Sequence, residues 1–561
     1  MAVVLDLNQF PFSRANGTMS LLFNCGLIIP SCRQKDNVLP VFKRDAAQVR
    51  LTALLCFIDQ DKCDTMGPSC GSRLAFRPAL SPEVVMMKRG FLVLLCLVLA
   101  AGTGAFAQED RLRLYVKGDI APYAQNRIVV TSPAAGTLTL RITSRVLDWT
   151  IAEDYPVEAG KNEVFYDGLF VNQEPIHRGA LTLTAQVTGS AGSWTAELKV
   201  QGGNAAPYLQ YVLPRSDKLY LKGGIWQADY YHTAGKKPQV SIRREGDSKE
   251  QPVTWLKDTE NPLVFSWDGK VKSGKIKPGK YTLTFSASEL GSPRYEMPLE
   301  AINAAPPQYP LQVTPQGDFL PETLDDAAVW RAITAPITVI RGRQIVRDRI
   351  LAAPDEKAQV LGLVSSGSAG LKVLELAGAY ARVGAWRLQD GGYVEGYIRQ
   401  DRLETFLPNQ RWGLVLDKAA QTITVYENGK PVGQTRTSTG LMTARAPQQE
   451  SRAGAFTLGQ RLPFFDNLGY RYRYAVRVDG RNLMHQLGHP TTTQMNFDME
   501  DAVMGQKASH GCLRMDRFPG EGGVNAFWLW TNIPSDTKML VLDDKPQRHA
   551  RMRELGLTPE D

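Results

Sequence analysis

The sequence predicts a mainly β, multidomain protein. Short stretches of alternating apolar and polar residues, such as Leu138–Ile142, recur along the chain between Gly, Pro, Asn and Asp turns. A domain-sized unit is repeated, since Gly179 and Gly279 open similar segments 100 residues apart. After residue 411 only the segment 524–530 reads as a helix. These observations predict β-sandwich repeats followed by smaller β-rich units.

A secretory signal peptide is expected at 86–107, away from the chain start. A basic start at Met86-Met87-Lys88-Arg89 precedes an apolar run, and Ala105-Phe106-Ala107 forms a small-x-small cleavage site. The preceding segment, 1–85, has weak periodicity and holds five of the seven cysteines. We expect it to reflect a wrongly assigned start codon. A genuine N-terminal extension with an internal signal anchor is the alternative.

Bulk composition excludes some partners for the exported chain, which would run from Gln108 to Asp561. Residues 1–107 hold 11 of the 65 basic and 7 of the 57 acidic residues, so the remainder holds 54 and 50, a net charge of +4. No long basic run with interleaved aromatic residues is present, so nucleic-acid binding is not expected. No metal site is predicted either, because Cys63 and Cys70 are too far apart for a CxxC knuckle.

Two tandem β-sandwiches are predicted at 108–204 and 205–302. The first contains Tyr166-Asp167-Gly168 and the second Trp267-Asp268-Gly269, each followed by a Gly-led strand. The pattern resembles the immunoglobulin-like domain of flagellar hook-capping proteins, a resemblance that bears on fold alone.

The rest of the chain divides into four parts. A proline-rich, semi-extended linker is expected at 303–335. The short strands of 336–405 resemble bacterial SH3-like domains that accompany cell-wall enzymes. A mostly-β domain is predicted at 411–544, and a polar tail with a solvated His549 at 545–561.

Beyond position 96 the chain has one cysteine, Cys512, within Ser509-His510-Gly511-Cys512-Leu513-Arg514. A thiol nucleophile needs a nearby imidazole, and His510, His485 and His489 are the candidates. Gly511 allows a tight turn, so that the N–H groups of Gly511 and Cys512 could face an oxyanion, while Ser509 shapes the pocket. Arg514 is expected either to hold a substrate carboxylate or to fix the loop through a carboxylate such as Asp516.

This motif, with Met484-His485 upstream, resembles the catalytic signature of YkuD-type L,D-transpeptidases over 411–544. The resemblance implies that Cys512 attacks a peptidoglycan stem peptide and forms a thioester, with His485 and His510 as catalytic histidines and no metal or cofactor. It also implies export to the periplasm or cell envelope, with no stable membrane span after signal cleavage. The acyl acceptor would be a second stem peptide or an envelope protein.

One departure concerns the segment after His485. Twenty-three residues separate it from Ser509, more than the family usually has, and Gln486 replaces the usual Gly. Either His485 keeps the upstream role or His489 has taken it, and we favour His485 because it directly follows a strand. The acidic residues Asp498, Glu500 and Asp501 predict a solvated loop, with amine binding as the alternative.

Three functions follow from these expectations. The first is L,D-transpeptidation; the second uses the same fold for hydrolysis, as a carboxypeptidase or endopeptidase. The third is a non-catalytic wall-binding scaffold.

Overall fold

A computed structural model describes residues 111–170, 173–256, 263–289, 291–492 and 496–560. The expectations for 1–85 and for a signal peptide at 86–107 fall outside these residues. Within them, strands dominate in several successive units, and the predicted mainly β, multidomain fold class is confirmed. No helix in these ranges is long and apolar enough to cross a membrane.

The first β-domain, residues 111–204, is two facing sheets around one core. A three-stranded sheet, β1-β2-β5, covers a four-stranded sheet, β4-β3-β8-β9, and β6 pairs with β7. Alternate residues of β2 and β3, such as Ile128 and Leu140, are fully buried between the sheets. The strands are β1 (Arg113–Val116), β2 (Asn126–Ser132), β3 (Gly136–Thr143), β4 (Asp148–Val157), β5 (Gly160–Tyr166), β6 (Leu169–Phe170), β7 (Glu174–Pro175), β8 (Gly179–Gly189) and β9 (Gly192–Gly202).

The second β-domain, residues 205–302, repeats this plan. A three-stranded sheet, β10-β12-β15, faces a five-stranded sheet, β11-β19-β18-β13-β14, and β16 pairs with β17. Gly179 and Gly279, the repeat markers of the sequence, open equivalent strands with positive φ. The strands are β10 (Leu209–Pro214), β11 (Lys218–Tyr220), β12 (Trp226–His232), β13 (Gln239–Arg244), β14 (Gln251–Pro252), β15 (Val264–Trp267), β16 (Lys270–Val271), β17 (Gly274–Lys275), β18 (Gly279–Ser286) and β19 (Tyr295–Ile302).

The linker predicted at 303–335 is extended only in its first part. Its end forms helix α1 (Asp326–Thr334), which begins at an Asp325 side chain that accepts a hydrogen bond from the Ala328 N–H. Val329 and Ile333 are buried against the C-terminal domain. The proline-rich start of the segment did not reveal this apolar helix face, so the semi-extended linker expected at 303–335 describes only the part before α1.

Residues 337–406 form a small all-β unit. A five-stranded sheet has the order β22-β21-β25-β24-β23, and β20 pairs with β26. That the unit is SH3-like stays a prediction. The strands are β20 (Ile337–Ile340), β21 (Arg347–Leu351), β22 (Val360–Ser365), β23 (Lys372–Ala377), β24 (Tyr380–Trp386), β25 (Tyr393–Arg399) and β26 (Leu403–Phe406).

The C-terminal domain, residues 411–544, is built on a ten-stranded sheet. Nine strands follow the order β30-β36-β27-β28-β29-β35-β33-β32-β31, and β34 pairs with β32. The strands are β27 (Trp412–Asp417), β28 (Thr422–Glu427), β29 (Lys430–Ser438), β30 (Gly454–Thr457), β31 (Arg461–Asn467), β32 (Tyr470–Asp479), β33 (Asn482–Gln486), β34 (His489–Pro490), β35 (Leu513–Met515) and β36 (Lys538–Leu542).

Three helices lie in or after this domain. The predicted helix is present as α3 (Ala526–Asn532), capped by the Asn525 side chain, which accepts from the Trp528 N–H at 2.8 Å. The insert after His485 contains α2 (Asp498–Asp501). The C-terminal segment contains α4 (Lys545–Glu554), which anchors through buried Arg548. The predicted polar tail is therefore a docked helix, and His549 is not solvated but lies 3.2 Å from Glu560.

The second β-domain contributes directly to the core of the C-terminal domain. Tyr211 and Leu213 of β10 are buried within the same apolar cluster as Leu414 and Trp530. Arg461, 1% exposed, donates to Tyr211 Oη at 3.1 Å and to the Ile533 carbonyl at 2.6 Å. These contacts make the two domains one packed body.

Candidate active site

Two adjacent parallel strands organise the site. β33 pairs with β35 so that Met484 lies opposite Leu513 and His485 lies opposite Arg514. Met484 and Leu513 are buried in the apolar core. Because side chains alternate along a strand, His485 and Arg514 lie on the other face, on strands about 4.8 Å apart.

Alternation along β35 predicts that the Cys512 thiol lies on this second face. Cys512 directly precedes core-facing Leu513, so alternation directs the thiol to the side of Arg514. Two shared neighbours support this placement. The Arg514 charge acts on both the thiol and the His485 imidazole. Tyr472 contacts the His485 ring at a centroid distance of 4.6 Å and experiences the charge of Cys512.

The proton affinities of the two groups are shifted in opposite directions. Burial raises the pKa of the Cys512 thiol, an effect that a hydrogen bond from the Leu483 backbone and the charges of Arg514 and Arg477 oppose. Burial, with a smaller contribution from the charge of Arg514, lowers the pKa of His485 to about 4, although the hydrogen bond with the Gln486 backbone opposes this shift. His485 Nδ1 lies 2.7 Å from the Gln486 carbonyl and donates to it in the neutral ring, which leaves Nε2 as the proton acceptor.

The cysteine loop is fastened to the neighbouring loop 439–451. Ser451, 3% exposed, accepts from the Gly440 N–H at 2.8 Å and donates to the Gly511 carbonyl at 3.0 Å. Ser509 N–H donates to the Thr439 carbonyl at 3.0 Å. These bonds fix the backbone on which the thiol is carried.

Gly511 and Ser509 define the turn before the thiol. Gly511 has φ of 110°, a region that favours glycine, and a Cβ there would meet the Asn482 amide at 2.9 Å. The Gly511 N–H donates to Ser509 Oγ at 3.1 Å, and that hydroxyl donates to the Cys512 carbonyl at 2.5 Å. In this conformation the Gly511 N–H is used inside the turn, and its role as an oxyanion donor stays a prediction.

The other two histidines lie elsewhere. His510 is exposed on the turn. His489 lies in β34, opposite Arg471, and its Nδ1 is 3.1 Å from the Pro490 carbonyl. Of the three candidate histidines, His485 alone belongs to the strand that pairs with β35.

Arg514 is engaged by a residue that the sequence did not indicate. Its Nε lies 3.3 Å from Glu500 Oε2, and both side chains are almost buried. Asp516, the carboxylate suggested from sequence, instead pairs with Arg436 at 2.6 Å.

The solvated acidic loop expected from the sequence holds for Asp498, whose side chain is 64% exposed, but not for Glu500, which is buried. Glu500 pairs with Arg514, Asp498 pairs with Arg145, and Asp501 pairs with Arg517. The acidic residues of the insert are evident in the sequence. Their arginine partners are not, because these lie up to several hundred residues away and no local sequence pattern identifies them.

Sequence reasoning missed Tyr472, Arg477 and Ser451. Tyr472 and Arg477 come from β32, and Ser451 follows a loop; none belongs to the motif around the thiol. Among the described residues, no group of three or more His, Cys, Asp or Glu side chains is arranged to hold a metal ion.

Comparison with known proteins adds a family assignment. Residues 411–541 match the family model of YkuD, described as the L,D-transpeptidase catalytic domain. No curated protein matches the chain.

Similar solved structures include three proteins. A fused Zn-dependent amidase/peptidase/peptidoglycan-binding domain-containing protein of Clostridium acetobutylicum is 14% identical over 24% of this chain and 53% of its own, with a TM-score of 0.18. An L,D-transpeptidase of Xylanimonas cellulosilytica is 15% identical over 24% of this chain and 60% of its own (TM-score 0.17). An L,D-transpeptidase of Mycobacterium smegmatis is 12% identical over 60% of this chain and 100% of its own (TM-score 0.20).

The first two matches span only 53% and 60% of those solved chains. With TM-scores this low, the three likenesses carry no weight for function. The family assignment therefore depends on the sequence match, which covers about a quarter of the chain. Residues 411–541 are a domain of the YkuD family, the L,D-transpeptidase catalytic domains.

Proposed function

We propose that this protein is a cysteine-dependent L,D-transpeptidase that acts on peptidoglycan stem peptides through a thioester acyl-enzyme. One observation carries the proposal. Cys512, the only cysteine of residues 111–560, shares a sheet face with buried His485, whose Nδ1 is committed to a carbonyl and whose Nε2 can accept a proton.

Acylation uses these two side chains. Cys512 Sγ attacks the carbonyl carbon at the L-centre of diaminopimelate in a stem tetrapeptide, and His485 Nε2 takes the thiol proton. The tetrahedral intermediate then loses its C–N bond. His485 returns the proton to the departing D-Ala amine, and the acyl group stays on Cys512 as a thioester.

Deacylation completes the transfer. An amine of a second stem peptide or of an envelope protein attacks the thioester carbonyl, and His485 accepts the proton that the amine loses. Sγ leaves and is reprotonated. Water in place of the amine would give hydrolysis by the same route.

Charge development is supported from two directions. The Cys512 N–H is assigned as the oxyanion donor, because the Gly511 N–H donates to Ser509 Oγ. Arg514 and Arg477 favour the thiolate that forms as the thioester breaks down. His510, exposed beside the thiol, is assigned to the rim where substrate enters.

The test combines trapping with turnover. We expect a carbapenem to add one acyl group to the intact protein, with the adduct on the peptide that contains Cys512 by mass spectrometry. Purified tetrapeptide muropeptides should release D-Ala and give cross-linked dimers.

Three variants assign the roles. Cys512→Ser should give no adduct and no dimers. His485→Ala should slow acylation by roughly 10²–10⁴-fold, and His510→Ala should have a smaller effect. Tripeptide without dimers would instead show hydrolysis. An unlabelled Cys512 in folded protein would overturn the enzymatic proposal in favour of a wall-binding scaffold.

A further inference from the structure

The helix that follows His485 in the insert is attached to the active site on one side. Glu500 of α2 is 8% exposed and contacts Arg514, which is two residues from the thiol. Burial raises the pKa of the Glu500 carboxyl, whereas Arg514 and a backbone hydrogen bond from Gly488 lower it. The carboxylate of Glu500 thus pairs with the Arg514 guanidinium, which is the group that a substrate carboxylate would otherwise contact.

The first β-domain holds the same helix on its other side. The turn between β3 and β4 places Val146 against the buried cluster of Leu487, Phe497 and Met504. Next to it, Arg145 forms an ion pair with Asp498, the first residue of α2.

A second arginine ties the turn and helix together. Arg517 lies 5.1 Å from the centre of the Phe497 ring and pairs with Asp501 at 3.0 Å. It also donates to the Val146 carbonyl at 3.3 Å. The turn, helix α2 and the strand after Cys512 are thus in continuous contact.

We propose that the first β-domain restrains the active site by docking α2 so that Glu500 masks the charge of Arg514 in the resting protein. The inference depends on the proposed function only in taking Cys512 as the reactive group. A substrate carboxylate, or undocking of the first β-domain, would displace Glu500 and expose the guanidinium.

The pKa of the Cys512 thiol should depend on whether Glu500 neutralises the charge of Arg514. The charged or titratable groups around the thiol are Arg514 of β35, Arg477 and Tyr472 of β32, His485 of β33, and His510 of the turn, while Glu500 of the insert acts through Arg514. Removing the carboxylate of Glu500 leaves the positive charge of Arg514 uncompensated. A thiolate next to an uncompensated cation is stabilised, so the thiol pKa should fall.

The experiment measures the pH dependence of iodoacetamide alkylation at Cys512 by mass spectrometry of the peptide that contains it, because the chain holds six further cysteines. Glu500→Gln should move the alkylation midpoint to lower pH by roughly half a unit, equivalent to about threefold faster alkylation below the midpoint. Val146→Asp, which places a charge in the apolar contact, should shift it in the same direction. The two changes combined should shift it no further than the larger single effect, because both remove one mask.

Controls separate this effect from loss of structure. Phe165→Asp makes the same kind of apolar-to-acidic change on the first β-domain, at a side chain that is 59% exposed, and should leave the profile unchanged. Thermal unfolding establishes that each variant is folded, and Glu500→Gln keeps the test available if Val146→Asp is not. An unchanged profile in Glu500→Gln, or additive shifts in the double variant, would overturn the proposal. The alkylation readout needs no turnover, so absence of muropeptide products would count against the proposed function alone.

Discussion

Folding favours the neutral forms of both the Cys512 thiol and the His485 imidazole. Burial raises the pKa of the thiol and lowers that of the imidazole to about 4, so a neutral pair is the resting state near pH 7. Proton transfer then accompanies attack on the substrate rather than preceding it. This arrangement protects the thiol from adventitious reaction until a carbonyl is in place.

The buried imidazole should make the protein sensitive to acid. The pKa of His485 in the folded protein, about 4, lies below its ordinary value of 6.5. On acidification the unfolded chain takes up this proton first, so stability is full above pH 6.5 and falls as the pH drops towards 4. We expect this residue to cost about 2 kcal/mol between pH 7 and pH 5.

Urea unfolding at the two pH values measures this cost. His485→Gln should lose less stability than the parent protein over the interval, by about that amount. The pKa values of His177 and His489 are also lowered by burial, so some acid sensitivity should remain in the variant. Equal losses in both proteins would contradict the prediction.

At this scale, the sequence indicated the thiol and its motif but not the partner of Arg514. Residues as close in sequence as Ser509 and Arg514 remain close in space in any fold, because the chain connects them, so the motif could be identified from the sequence alone. Glu500 could not be chosen over Asp516 because that choice depends on where α2 docks.

At the level of elements, the site depends on how two loops are fastened. Ser451 connects Gly440 and Gly511 through one buried hydroxyl. Ser451→Ala leaves a buried N–H and a buried carbonyl without this partner, a loss of about 1–3 kcal/mol. It should also slow carbapenem acylation of Cys512.

Ser451→Thr is the matched control, since it retains the hydroxyl. Melting temperature and acylation rate, measured together, test the connection. If Ser451→Ala matches the parent protein in both, the fastening role is wrong.

The positions of most long strands in the C-terminal domain could be predicted from the sequence, whereas the pairing of strands within the sheet could not. β27 and β36 have continuous apolar sequences, as expected of buried strands in the mostly-β domain predicted at 411–544. β35 has only three residues, too few for any periodicity, yet it places Arg514, two residues after Cys512, opposite His485. Parallel pairing of β33 with β35 joins segments separated by the whole insert, and such long-range pairing leaves no local signal.

At the scale of the molecule, the C-terminal domain depends on its N-terminal neighbour. The Tyr211 ring packs edge-on against Trp530 at 5.5 Å, within a shared core. Tyr211→Ala should therefore destabilise the C-terminal domain by about 3–5 kcal/mol, the cost of a large aromatic cavity.

Tyr211→Phe separates packing from polarity. It keeps the ring but removes the oxygen that accepts from Arg461, so it should cost only about 1 kcal/mol. Urea unfolding followed by loss of carbapenem labelling reports on the C-terminal domain directly. An unchanged labelling transition in Tyr211→Ala would show that the domain is stable without this contact.

The shared core also dictates when folding can finish. A ribosome delivers Tyr211 and Leu213 about 200 residues before β27, and about 300 residues before α3 and β36. Until the last strand emerges, that apolar edge of the second β-domain is uncovered and open to contact with other nascent chains. A chaperone that shields one short strand, β10, during this interval would protect the maturation of the entire polypeptide.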